Sequence, residues 1–180
     1  MNTPAAVLTF WFDELAPEQL FTRDDSVDTQ IAHRFGQLHS EIVHEVPPDW
    51  VAMPRSLLAA VIVLDQFSRN LFREDARAFA QDPVALALTE DAISRGWDSG
   101  LSAREKQFLY MPLMHSEVLA DVERCIGLMR SAGHATGEDF ARRHAAVITR
   151  FGRYPARNAA LGRKTTPEEE EFLGATPHGF

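Results

Sequence analysis

The stretch "SLLAAVIVLDQFSRNLFR", Ser56 to Arg73, decides the fold class. Its first half is a continuous apolar run. The β-branched residues Val61, Ile62 and Val63 would suit a strand, but no turn residue flanks them and they sit inside a longer stripe. That stripe reads Leu58, Val61 or Ile62, Asp65, Arg69 and Phe72, spaced as one face of a helix. A helix opened by Pro54 therefore accounts for the whole stretch. The same stripe raises a chemical question, because Asp65 and Arg69 fall on the face that should enter the core. A lone buried charge is costly, so the two must pair with each other or with groups on other helices.

The punctuation on either side also marks helices. Thr3 followed by Pro4 makes an N-cap and first-turn pair, opening "AAVLTFWFDEL". Asp25 and Ser26 open a second helix with the apolar stripe Val27, Ile31, Phe35, Leu38, Ile42 and Val46, stopped by Pro47-Pro48. Asp82-Pro83 caps "VALALTEDAISR", and Gly96 stands where a left-handed C-cap belongs. Ser102 with Glu105 forms a capping box before a long helix over 103–131, with a kink predicted at Pro112. Gly133 to Gly137 reads as a loop and 138–151 as a helix. Thr166-Pro167 with Glu169 caps a short last helix. The fold class is all-α, in antiparallel helix hairpins with short connections. No repeat at the tetratricopeptide period is visible, so the pattern alone does not establish a superhelix.

The chain has 180 residues, which predicts a single all-helical domain over 1–180. A net charge of −8 and a pI of about 5.3 argue against nucleic acid as a partner, since phosphate binding needs a basic surface. The charge is uneven. Arg150 to Lys164 is basic with no acidic residue, and Glu168 to Glu171 is a run of four glutamates. No apolar run reaches membrane-spanning length, and the N-terminus has no basic n-region or cleavage pattern. A cytoplasmic protein is expected, with no membrane partner. Cys125 is the only cysteine and lies in an apolar helical segment, which predicts a buried structural thiol.

Two further segments place polar residues on apolar faces. His115 shares a stripe with Phe108, Met111 and Val122, just after Pro112, and Glu117 lies on the neighbouring face. His-x-Glu is poor metal spacing on a helix, H-E-x-x-H is absent, and neither a metal nor a cofactor is expected. After His144 and Gly152 the chain presents Arg153, Tyr154, Arg157 and Asn158. Arginine pairs with carboxylate or phosphate through a planar fork. Together with Arg69, Asn70 and Arg73, these residues suggest two Arg/Asn clusters meeting in one pocket. No Gly-rich phosphate loop or hydrolase elbow is present.

The motifs "VLTFWF", "LDQFSRNLFR", "AFAQDPVAL", "FLYMPLMHSE" and "ARRHAAVITRFGRYPARNAALGR" followed by "TTPEEEEFL" run in order over nearly the whole chain. In them the sequence resembles the bacterial domain-of-unknown-function family nine hundred and twenty-four. The resemblance implies an all-helical, tetratricopeptide-like superhelix and no accepted activity, so no catalytic residue carries over. The family's first motif more often has Pro where this chain has Ser68, a change expected to leave the Asp65–Arg69 register intact.

Three functions fit. The first is a binding module whose pocket, lined by Asp65, Arg69, Asn70, Arg73, His115, Arg153, Tyr154, Arg157 and Asn158, takes a small anion or an acidic peptide. The second is an enzyme with His115 or His144 as general base, oriented by Asp65 or Glu117, and arginines steadying an anion. The third is an interaction protein with an ionic core, for instance a homo-oligomer. A histidine–carboxylate pair opening into a cavity separates the second from the others.

Overall fold

In the computed structural model, which describes residues 3–175, the helix opened by Pro54 lies at the centre of the molecule. The described residues are helices and their connections, with no strand among them. The longer elements are α1 (Pro4–Thr9), α2 (Asp25–His44), α3 (Pro54–Ile62), α4 (Ser68–Leu71), α5 (Asp82–Ser94), α6 (Ala103–His115), α7 (Leu119–Ser131), α8 (Ala135–Phe151) and α9 (Pro167–Ala175). Every residue from Leu57 to Leu64 is fully buried. A helix that is apolar all round must be enclosed, and α3 packs against α1, α5 and α6.

Aromatic side chains fix the N-terminal helices around it. Trp11 meets Phe108 of α6 edge-on at 5.5 Å, and Phe35 of α2 lies 5.2 Å from both Phe10 and Phe67. All five rings are essentially buried. Each such side chain stabilises the fold by roughly 1.5–3 kcal/mol. Phe67 belongs to a π-helical turn, Val63–Phe67, between α3 and α4. The aromatic cluster therefore clamps the segment that carries Asp65.

The second half stacks consecutive helices, α6 on α7 and α7 on α8, as their short connections require. It corrects two expected boundaries. The predicted helix over 103–131 is two helices, and the break comes after His115 rather than at Pro112, which stays helical. Ser116 is extended, with its hydroxyl accepting from the Val118 amide at 3.1 Å and donating to Asp121 at 2.6 Å. That side-chain turn offers the backbone an alternative to the helix ladder. The predicted loop over Gly133 to Gly137 is shorter, because His134 caps α8 by accepting the Gly137 amide at Nδ1, 2.9 Å away. A Cβ at Gly137 would lie 2.8 Å from both His134 Nδ1 and Met129 Sδ, so glycine permits this cap.

Gly152, at φ +69°, ends α8 and turns the chain back over α7 and α8. There Tyr154 joins Val122, Val147 and Ile148 in a second, smaller apolar cluster. Thr166 and Glu169 cap α9 reciprocally, through bonds of 3.2 and 2.8 Å. Cys125 is buried, and burial pushes its thiol up to about 12, so it is inert as a nucleophile near neutral pH. No helix among the described residues is long and apolar enough to cross a membrane.

Candidate functional site

The π turn sets the position of Asp65. A π turn holds an extra residue, so the chain beyond it is rotated by about 100° relative to an unbroken α-helix. Asp65 is 1% exposed. It accepts from His115 Nδ1 at 2.7 Å, from Arg69 Nη1 at 3.0 Å and from Gln66 Nε2. Burial alone would raise its pKa, but the Arg69 charge, the His115 ring and these hydrogen bonds outweigh burial and hold it well below the usual carboxylate range. An ionised carboxylate only accepts, which assigns the proton to His115 Nδ1 and leaves the lone pair on Nε2.

Arg69 links this pair to a second carboxylate. Its two terminal nitrogens donate to Asp82 at 2.9 and 3.0 Å. Arg157, from the turn after α8, donates to the same Asp82 at 3.0 Å and to the His115 carbonyl at 2.8 Å. The Phe79 ring lies 5.5 Å from the Arg69 guanidinium and 4.7 Å from that of Arg157, while the Tyr154 ring lies 4.8 Å from Arg157. These distances suit cation–π contact. Two guanidiniums face two carboxylates, so the cluster is balanced in charge.

The cluster borders a cavity of about 270 Å³ lined by Arg69, Phe79, His115, His144, Tyr154 and Arg157. The His115 side chain is 12% exposed, and no described residue bonds its Nε2. Burial, then the neighbouring Arg69 charge, lower its affinity for a proton. His144 lies 6.4 Å away, centroid to centroid, and its Nδ1 donates to the Phe140 carbonyl at 2.8 Å. Burial pulls His144 down to about 4. Both imidazoles are therefore neutral at pH 7, the state in which a histidine accepts a proton. Among the described residues no three His, Cys, Asp or Glu side chains gather to hold a metal.

Of the sequence candidates, Asp65, Arg69, His115, Tyr154 and Arg157 come together at this cavity. Asn70 and Arg73 do not. Both donate to Asp28 of α2, Asn70 at 2.7 Å and Arg73 through Nε and Nη2. Glu117 lies behind the cavity wall. It receives both Arg163 terminal nitrogens at 2.7 and 3.0 Å and the Tyr154 amide at 2.8 Å, thereby holding Tyr154 in place. Arg153 grips Glu169 at 2.7 and 2.9 Å, and Asn158 donates to the same carboxylate at 3.2 Å. That trio fastens α9 to the preceding turn. The Tyr154 hydroxyl is committed to the Met114 carbonyl at 2.5 Å, and burial raises it further from ionisation.

Sequence reasoning missed Asp82 and Phe79. Asp82 had a complete explanation as the cap of α5, but it is the first residue of that helix, after Gln81, and its carboxylate serves the two arginines. The convergence of Arg69 and Arg157 with Asp65 as the acid beside them was the available signal that a second carboxylate was needed.

The comparisons agree with this architecture. A structure of a protein of unknown function from Agrobacterium tumefaciens matches with a TM-score of 0.89 and 34% identity, covering 96% of this chain and 97% of that one. No curated protein matches the chain. The model of a bacterial protein family of unknown function, DUF924, matches residues 7–176. With the family's pattern running through α1, the π turn, α6 and the segment after α8, the chain belongs to the DUF924 family.

Proposed function

We propose that the chain is an enzyme in which His115 acts as general base on a small substrate with a carbonyl or carboxyl head. The observation that carries this reading is the 2.7 Å Asp65–His115 pair on the wall of a cavity, with Nε2 left for a ligand. Asp65 is the orienting group. It fixes the tautomer and steadies the imidazolium that forms when Nε2 takes a proton from substrate or water. Arg157 is the group available to a developing oxyanion. Burial and the Arg69 charge work against its own, so negative charge beside it is welcome. The balanced cluster fits a substrate that is neutral or carries a single charge, and it disfavours a polyphosphate.

Pure binding of a small anion or acidic peptide is the competing reading, supported by the same two arginines. The test is a panel of small esters, amides and acids incubated in deuterated buffer, followed by NMR for both hydrolysis and α-deuteration. The enzyme reading expects turnover of at least one compound, with His115→Gln slowing it by about a hundredfold or more. Equal rates for wild type and His115→Gln across the panel would leave binding alone.

A further inference from the structure

A second cavity, also about 270 Å³, touches the first. It is lined by Phe21, Gln107, Met111, Met114, Phe140 and Arg143, together with the same His115 and His144. The two histidines thus border both spaces. The first is framed by two guanidiniums and the Phe79 and Tyr154 rings, the second mainly by apolar side chains from three separate segments. Phe21 follows the turn after α1 and stacks on Phe108 at 5.8 Å; the methionines belong to α6, and Phe140 to α8.

Two features mark this space as built for a ligand. Phe21 and Phe140 are 49% and 38% exposed, among the most exposed large apolar residues described. The Gln107 side chain is nine-tenths buried, lines the cavity and makes no hydrogen bond to any described residue. An amide that lines a cavity without a protein partner is available to hydrogen-bond a ligand placed there. Apolar walls, pliable methionines and a few polar groups open to the space are the usual composition of a small-molecule pocket.

We propose that this cavity is the tail subsite of the catalytic cavity, so that the chain takes an amphipathic small molecule. Its carboxyl or carbonyl head meets His115 and Arg157. Its short aliphatic tail lies on Phe21, Met111, Met114 and Phe140 and carries a hydrogen-bonding group that meets Gln107. This deepens the reading above and rests on it for the orientation of the head.

Binding alone tests it, without turnover. Butyrate, hexanoate, octanoate and 6-hydroxyhexanoate are titrated into the full chain while the His115 and His144 ring signals and the Met111 and Met114 methyl signals are followed by NMR. The expected result is movement of both sets of signals, with affinity rising roughly fourfold per buried methylene. 6-Hydroxyhexanoate should bind more tightly than hexanoate in wild type but not in Gln107→Leu. Phe140→Glu, at a part-exposed site that spares the core, should abolish the dependence on chain length. Equal affinities along the series with silent methyl signals overturn the tail subsite and leave the general base untouched. Length-dependent binding combined with unchanged turnover in His115→Gln retains the tail subsite but removes the catalytic role.

Discussion

The ten residues from Leu64 to Arg73 divide into two polar clusters with similar chemistry and different consequences. Asp65 and Arg69 face His115, Asp82 and Arg157 beside a cavity. Asn70 and Arg73, a few residues on, meet Asp28 and line neither of the two cavities bordered by His115. Both clusters join an arginine to a carboxylate from another helix. The first leaves a neutral imidazole that lines a cavity, with no described residue bonded to its Nε2, whereas the second satisfies its groups and acts as a strut from α2 to the end of α4. A buried ion pair is weak evidence of function, and the adjoining space is what distinguishes the two.

The largest expected effect comes from breaking the first cluster. Asp65→Ala removes one of the two carboxylates that balance Arg69 and leaves the His115 N–H without its buried acceptor, and should destabilise the fold by about 3–5 kcal/mol in urea denaturation. A loss no larger than that of a surface substitution would mean the cluster is far more hydrated than its burial indicates.

The next effect depends on pH. His144 titrates near 4 in the fold, below its ordinary 6.5, so the unfolded chain binds more protons between these values. Stability should be complete above about pH 6.5 and fall as the solution is acidified toward about 4, by roughly 2–3 kcal/mol. Asp65, also depressed, adds its loss at lower pH still. His144→Gln should flatten the first part of this acid limb. The Asp28 strut contains no histidine, so Asp28→Ala should leave that limb unchanged. A limb that keeps its shape in His144→Gln would assign the titration elsewhere.

The smallest of the three is Asp28→Ala itself. Its partners are only partly buried, with Arg73 28% and Asp28 18% exposed, so water replaces some of what is lost. A cost of about 1–2 kcal/mol is expected, with His115 and His144 signals unmoved by NMR. Displaced imidazole signals would show that the strut and the site are one network.

Ser68 bears on the same region. Its hydroxyl pairs with His39 Nε2 at 2.8 Å, and both side chains are buried. The π turn before it forms with serine in place, so proline is not what creates the turn in this chain.

Much of the fold was legible because its causes are local. Apolar period, proline at first turns, the Ser102–Glu105 box and the left-handed glycines at 96 and 152 each act within a few residues. Misread boundaries arose where a side chain intervened, as with the Ser116 hydroxyl and the His134 ring. The site was legible only in part. Asp65, Arg69, His115 and Arg157 stood out as polar groups on apolar faces or in a basic run. The expectation that Arg69 and Arg73 line one pocket assumed that the helix continues, yet α4 ends at Leu71 and Phe72 leaves helical geometry.

By itself, then, the sequence determined that the chain is helical, which faces enter the core, and that Asp65 and Arg69 must find partners there. Those properties come from period, capping and the cost of burying charge. Only the tertiary structure decided which partners they find. His115 reaches Asp65 from fifty residues away, Asp82 joins Arg69 to Arg157, and the cavity arises where the segment after Gly152 folds back over α6 and α8. Contacts between distant segments depend on how helices pack, and no local pattern encodes the space left between them.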